Sequence, residues 1–133
     1  MACLCQPGYI AFEEEYSGAS AIVLGKVIAR RTKTYHYKLK DGDYFDLHYY
    51  EHIVRVKKAY KGASAQIIKV ATVWENVSCG MRLKRGRTYL IYAMPDERYG
   101  LYTGKCNRNY LRTHEHFKQA IAQVEERNKR QKK

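Results

Sequence analysis

Ala21-Ile22-Val23-Leu24-Gly25-Lys26-Val27-Ile28-Ala29 decides the fold, because aliphatic and β-branched side chains run through it with a single glycine and a single lysine. That composition is the mark of a largely buried β-strand. A glycine inside such a strand permits a bulge or a tight bend, as when a strand curls into a barrel. Upstream, Ser17-Gly18-Ala19-Ser20 breaks the preceding pattern. Before the break, Pro7 near a helix start and the Phe12/Tyr16 pair four residues apart predict a short helix bearing Glu13, Glu14 and Glu15.

Downstream, Tyr35-His36-Tyr37 leads to Asp41-Gly42-Asp43, a turn signal that predicts a long hairpin. Between Tyr44 and Val56 the alternation changes phase: Phe45, Leu47 and Tyr49 form one set, and Tyr50, His52, Val54 and Val56 the next. An extra residue near Tyr49 or Tyr50, a bulge, accounts for the change. The run from Ala65 to Val73 predicts another strand, and Trp74-Glu75-Asn76-Val77-Ser78-Cys79-Gly80 leaves it as a loop. Thr88-Tyr89-Leu90-Ile91-Tyr92-Ala93 reads as a strand, Tyr99 to Thr103 as its short partner, and Pro95 as the turn between them. Phe117, Ala120, Ile121 and Val124 repeat at helical spacing behind Thr113, a candidate cap. The pattern predicts an all-β core with flanking helices, best met by a five-stranded OB-type antiparallel barrel, with a sandwich as the alternative arrangement. Residues 1–126 form one domain in this reading, and residues 127–133 a basic flexible tail.

The 133 residues suffice for one core, and 25 Lys and Arg against 13 Asp and Glu leave a net charge of +12 that favours anionic partners. No run approaches the length and apolarity of a membrane span. Phosphate-binding glycine loops, zinc-hydrolase helix signatures and nucleophile–base motifs are missing, so the sequence reads as a non-enzyme with no cofactor of its own. His48, His52, His114 and His116 would make a metal site only by meeting in space; surface or core roles are the ordinary reading of such histidines.

Cys3, Cys5, Cys79 and Cys106 allow three complete pairings. Two bridges from the opening residues to distant points would be a secreted pattern, with reduced thiols and a thiolate zinc site as alternatives. Asn76-Val77-Ser78 is a glycosylation acceptor sequence directly before Cys79, usable only on an accessible loop in the secretory pathway.

Taken in order, Cys3-Leu4-Cys5, Val23-Leu24-Gly25-Lys26-Val27, Tyr60-Lys61-Gly62, Cys79-Gly80, Gly86-Arg87-Thr88-Tyr89-Leu90-Ile91 and Cys106-Asn107 resemble a netrin-like domain. The likeness is closest to the amino-terminal domain of the tissue inhibitors of metalloproteinases. It implies a disulfide-stapled OB-type barrel with Cys3–Cys79 and Cys5–Cys106 bridges, secreted and extracellular. The customary third bridge has no counterpart, since the first helix and the region after Cys106 lack cysteine.

The resemblance also implies a mechanism. The amine and carbonyl of an amino-terminal Cys3 would chelate the target protease's zinc, the partner supplying the metal. Leu4 would enter the enzyme's primed-side pocket, where the family more often presents a small hydroxyl residue. Cys5, Val77, Ser78 and Cys79 complete the inhibitory ridge, with Tyr35 and Tyr37 as an extension from the hairpin. Met1 and Ala2 conflict with this role, because an amide nitrogen at Cys3 cannot replace a free amine. The expectation is therefore that the natural mature chain starts at Cys3, with Met1 and Ala2 added for expression, and acts as a monomer.

The competing expectation is a noncatalytic extracellular module that binds matrix, sulfated glycan or a host protein. Its candidate polyanion-binding residues are Lys57, Lys58 and Lys61 in one segment and Arg82, Lys84, Arg85 and Arg87 in another, with the carboxyl tail as a third. Nucleic-acid binding is the weaker polyanion reading, because bridges and a glycosylation acceptor point outside the cell.

Overall fold

The run beginning at Ala21 is the inner half of an 18-residue strand, β1 (Ala21–Lys38), which returns through a turn with Gly42 at φ 93° into the equally long β2 (Tyr44–Lys61). The computed structural model describes residues 11–62, 65–74 and 80–131. Helix α1 (Phe12–Gly18) precedes β1; β3 (Ile67–Val73), β4 (Thr88–Asp96), β5 (Gly100–Tyr102), β6 (Tyr110–Leu111) and helix α2 (Phe117–Gln131) follow β2.

The strands bond in the order β1-β2-β3-β5-β4-β6, and β4 also pairs with β1 from Ala21↔Ala93 to Lys26↔Thr88. Five strands therefore close a ring, with β6 attached outside it to β4. One pair departs from the antiparallel expectation. β5 folds back antiparallel on β4, which leaves it running parallel to β3 through Ala71↔Tyr102.

Alternate residues of β1 and β4 serve two cores. Val23, Val27, Val54, Val70, Leu83 and Ile91 form a cluster drawn from the strands and the loop before β4, whereas Ile22, Leu90 and Tyr92 meet Tyr16 of α1 and Val124 of α2. Both faces of the inner strands are thus covered, which is why the sequence there is continuously apolar. Full burial of each aliphatic side chain contributes about 1.5–3 kcal/mol.

The long hairpin changes register where its inner half bends: between Ile22 and Val23, between Leu24 and Gly25, and between Val27 and Ala29. Gly25 is one of these points, as its sequence position suggested, and a Cβ there would run into the Val54 side chain. The bulge expected near Tyr49 or Tyr50 does not occur. Lys33↔Tyr49 and Thr32↔Tyr50 follow without a break, as do Tyr49↔Val73 and Tyr50↔Thr72. The phase change marks a switch of covered face: His52 and Val54 are buried in the ring, whereas Tyr49 packs 4.7 Å from Tyr99 on the opposite face.

Pro95 also differs from expectation. It lies inside β4 opposite Leu101, and the turn falls at residues 97–99, where the Asp96 carboxylate accepts from the backbone N–H groups of Arg98 and Tyr99. Helix α2 begins at Phe117 rather than beside Thr113, after a turn in which Phe117 N–H donates to the His114 carbonyl at 3.1 Å. It continues to Gln131 and so takes in Arg127, Asn128, Lys129 and Arg130 of the segment expected to fray. The Arg127 guanidinium donates to both oxygens of Glu13 at 2.9 Å, an ion pair between the two helices.

Candidate functional site

Because β3 and β5 are parallel, the chain leaves both strands at the same end of the ring. After β3, Met81 N–H donates to the Val73 carbonyl at 2.9 Å and pinches the neck of the loop spanning residues 74–80. Gly80 sits at that neck, where any Cβ would collide with the Trp74 carbonyl. After β5, Thr103 N–H donates to the Ala71 carbonyl at 3.0 Å, so the second loop departs alongside the first.

That second loop is held by amides. Asn107 Oδ1 accepts from Gly104 N–H at 2.9 Å, while Asn109 donates to the Thr103 hydroxyl at 2.7 Å and accepts from Tyr92 N–H at 2.9 Å. Cys106 lies between these clasps and is disulfide-bonded. Helix α1 joins the same assembly through Glu15, which is fully buried. Its carboxylate accepts from Asn107 Nδ2 at 2.9 Å, Arg108 N–H at 3.1 Å and Arg108 Nη1 at 2.6 Å. A buried carboxylate is tolerated because charge and hydrogen bonds compensate it together. The end of β3 with Trp74 and Gly80, the Cys106 loop and the first helix thus share one end of the molecule.

An aromatic row flanks this end. Trp74 stacks on His48 with ring centroids 4.7 Å apart, Tyr50 lies 6.1 Å from Trp74, and the Arg30 guanidinium sits 4.9 Å above the Tyr50 ring. His52 is buried beneath, its Nε2 2.9 Å from the Thr72 hydroxyl. Burial, and secondarily the Arg30 charge, lowers its pKa to about 4. On the outer hairpin Tyr35 and Tyr37 lie edge to face at 4.8 Å, and Arg98 stacks 5.7 Å from the Tyr37 ring while donating to its hydroxyl. Arg98 is a supporting residue that the sequence pattern did not single out.

Of the ridge residues predicted from sequence, Cys3, Leu4, Cys5, Val77, Ser78 and Cys79 lie outside the described residues, as does Asn76. The predicted basic residues do not act as one group. Lys61 donates to the Tyr16 and Ser17 carbonyls at 2.6 and 2.8 Å and supports the carboxyl end of α1. Desolvation, then the Arg127 charge, lowers its pKa. Lys58 pairs with Glu125 at 3.3 Å. Lys57 and Arg87 instead line one depression with Lys26 and Arg112, two residues the sequence reading missed, and Arg85 lines the next depression with Lys26. Arg82 and Lys84 are exposed outside these depressions. A signal for Lys26 existed: it is the one charge in the buried run 21–29. His48 and His52 stand on β2 and His114 and His116 before α2; among the described residues no three potential ligands gather into a metal site.

No helix of the described residues is long and apolar enough to cross a membrane. Comparison with curated proteins gives no match. A family model described as Tissue inhibitor of metalloproteinase matches residues 1–130.

Proposed function

This chain belongs to the tissue inhibitor of metalloproteinase family, and on that premise we propose that it inhibits a zinc metalloproteinase by main-chain chelation. In a chain whose first residue is Cys3, the free amine and the carbonyl oxygen of that residue both reach the enzyme's zinc. Leu4 follows into the primed-side pocket, and Val77 and Ser78 flank it. Cys3–Cys79 and Cys5–Cys106 bridges fasten these segments to an OB-type barrel that works outside the cell. The amine must be neutral to donate its lone pair, so with a reference pKa of about 8 inhibition weakens as pH falls.

The observation that carries the reading is the common exit of two loops from the parallel strands β3 and β5, with α1 clamped to the second by Glu15. The first loop contains Cys79, the second Cys106, and α1 directly follows the segment with Cys3 and Cys5. A ridge tied this way loses little conformational freedom on binding.

The test is inhibition of a metalloproteinase panel by chains beginning at Cys3 and at Met1, each with its bridges intact. The first inhibits and the second fails in this mechanism, because Met1 and Ala2 convert the amine of Cys3 into an amide. Equal inhibition by both removes chelation from the reading.

A further inference from the structure

We propose that Tyr44, at the tip of the long hairpin, is a site of tyrosine O-sulfation. The inference rests on the extracellular reading above, because enzymes that sulfate protein tyrosines act along the secretory route. Two tyrosines of the chain have three carboxylates within three positions and no cation among them: Tyr16 after Glu13-Glu14-Glu15, and Tyr44 in Asp41-Gly42-Asp43-Tyr44-Phe45-Asp46. A sulfotransferase holds its anionic donor in a cationic site, and the same field draws an acidic acceptor segment. By sequence alone Tyr16 has the denser flank.

The fold reverses that preference. Tyr16 is 2% exposed, packed in the cluster with Val124 and covered by the Arg127 guanidinium 4.7 Å from its ring. Tyr44 is 69% exposed, whereas every other tyrosine among the described residues is buried or half-buried. Its surroundings also suit entry into an enzyme cleft. β1 pairs with β4 only as far as Lys26, and β2 meets β3 only from Tyr49 onward, so residues 44–48 and their partners on β1 form a two-stranded ribbon beyond the ring. Such projecting tips are where modifying enzymes gain access to a folded chain.

The turn fixes how the acceptor is presented. Leu39 N–H donates to the Asp43 carbonyl at 2.6 Å, and the Asp41 carboxylate accepts from Asp43 N–H at 3.0 Å. Alternation along β2 puts Tyr44 on the same face as Asp46, which holds His36 at 2.5 Å, while Phe45 turns to the opposite face and packs 6.2 Å from Tyr37. Lys38 stands opposite Tyr44 in the ladder, where it offsets the charge that sulfation adds.

The donor is an activated sulfate, the mixed anhydride of sulfate with a nucleotide phosphate. The Tyr44 phenolic oxygen attacks sulfur and gives its proton to a base of the transferase. An O–S bond forms as the S–O bond to the phosphate breaks, and the nucleotide leaves with that electron pair. Sulfur keeps its oxidation state throughout.

The test incubates the full chain, bridges intact, with a purified protein-tyrosine sulfotransferase and donor carrying radioactive sulfur, and locates the label by peptide mapping. Label is expected on Tyr44 and is expected to disappear in Tyr44→Phe. Asp43→Asn with Asp46→Asn, both exposed, should slow labelling about tenfold. The reduced and unfolded chain should gain label on Tyr16, which burial protects in the folded one. An unlabelled Tyr44 in the folded chain, or label on Tyr16 in both states, would overturn the site; an unchanged rate in the double variant would overturn recognition by the acidic flank. The purified reaction does not depend on secretion, so its failure strikes the site, whereas absence of the chain from the medium of animal cells expressing it strikes the extracellular reading.

Discussion

Glu15 and Arg108, 93 residues apart in sequence, meet at 2.6 Å with the carboxylate fully buried. Replacing Arg108 by Met leaves that carboxylate without its cation. The expected cost is about 3 kcal/mol, the lower end for breaking a buried pair, because the guanidinium is 25% exposed. Urea unfolding measures it; a cost below about 1 kcal/mol would show that Asn107 and the Arg108 N–H suffice.

His52 makes stability depend on pH in a defined window. Its pKa is about 4 in the folded protein and about 6.5 when unfolded, so the unfolded chain takes up the proton first. Its contribution is complete above about pH 6.5, declines as pH falls, and is gone below about pH 4; its ceiling is roughly 3 kcal/mol. Urea midpoints of the parent and of His52→Gln between these limits should converge as pH drops. Parallel curves would count against the assignment.

Gly80→Ala forces the limbs of the loop over residues 74–80 apart, because the new methyl meets the Trp74 carbonyl. Overpacking of this kind costs about 1–3 kcal/mol. The amide of Met81, bonded to Val73, should lose hydrogen-exchange protection in step. Unchanged protection would mean that the neck absorbs the methyl elsewhere.

Arg98→Ala removes the prop between the hairpin and the turn after β4. Exposed cation–π contacts are worth about 0.5–1 kcal/mol, so the melting temperature should barely move. Faster exchange of the amides between Tyr35 and Phe45 is the expected signature, and an unaltered hairpin would show that Tyr37 and Phe45 hold it alone.

Leu4→Ala, in a chain beginning at Cys3, should reduce affinity for proteases with a deep apolar pocket by about tenfold to a hundredfold, as burial of Leu is worth about 1.5–3 kcal/mol. Shallow-pocket enzymes should be nearly indifferent. A uniform loss across the panel would place Leu4 outside the pocket.

The strand at residues 21–29, its irregularity at Gly25 and the helix at the carboxyl end were legible because local composition and local structure agree there. The face switch along β2 was read as a bulge because alternation reports phase and cannot report which face finds a partner. Pro95 was read as a turn, yet it fits within β4 because the strand's pairing with β1 ends at Ala93, so past that point β4 has a neighbour on one side only and can take a residue without an N–H. The helical run from Arg127 onward looked like a tail because its anchor, Glu13, comes from the opposite end of the chain. Grouping cations by proximity in sequence failed for a related reason. Lys57, Lys58 and Lys61 are near neighbours in the chain, but a bulge sets Lys57 apart, and it lines a depression with Lys26, Arg87 and Arg112 while Lys58 and Lys61 engage the two helices.

The ring is sewn shut by only three residues, Gly100–Tyr102, and their link to β3 is the single pairing Ala71↔Tyr102. Such a short seam is where warming unpicks the molecule, while the long β1–β2 ladder stays whole. The loops at its end would then drift apart before the remaining sheet melts, and loss of protease binding would precede loss of circular dichroism.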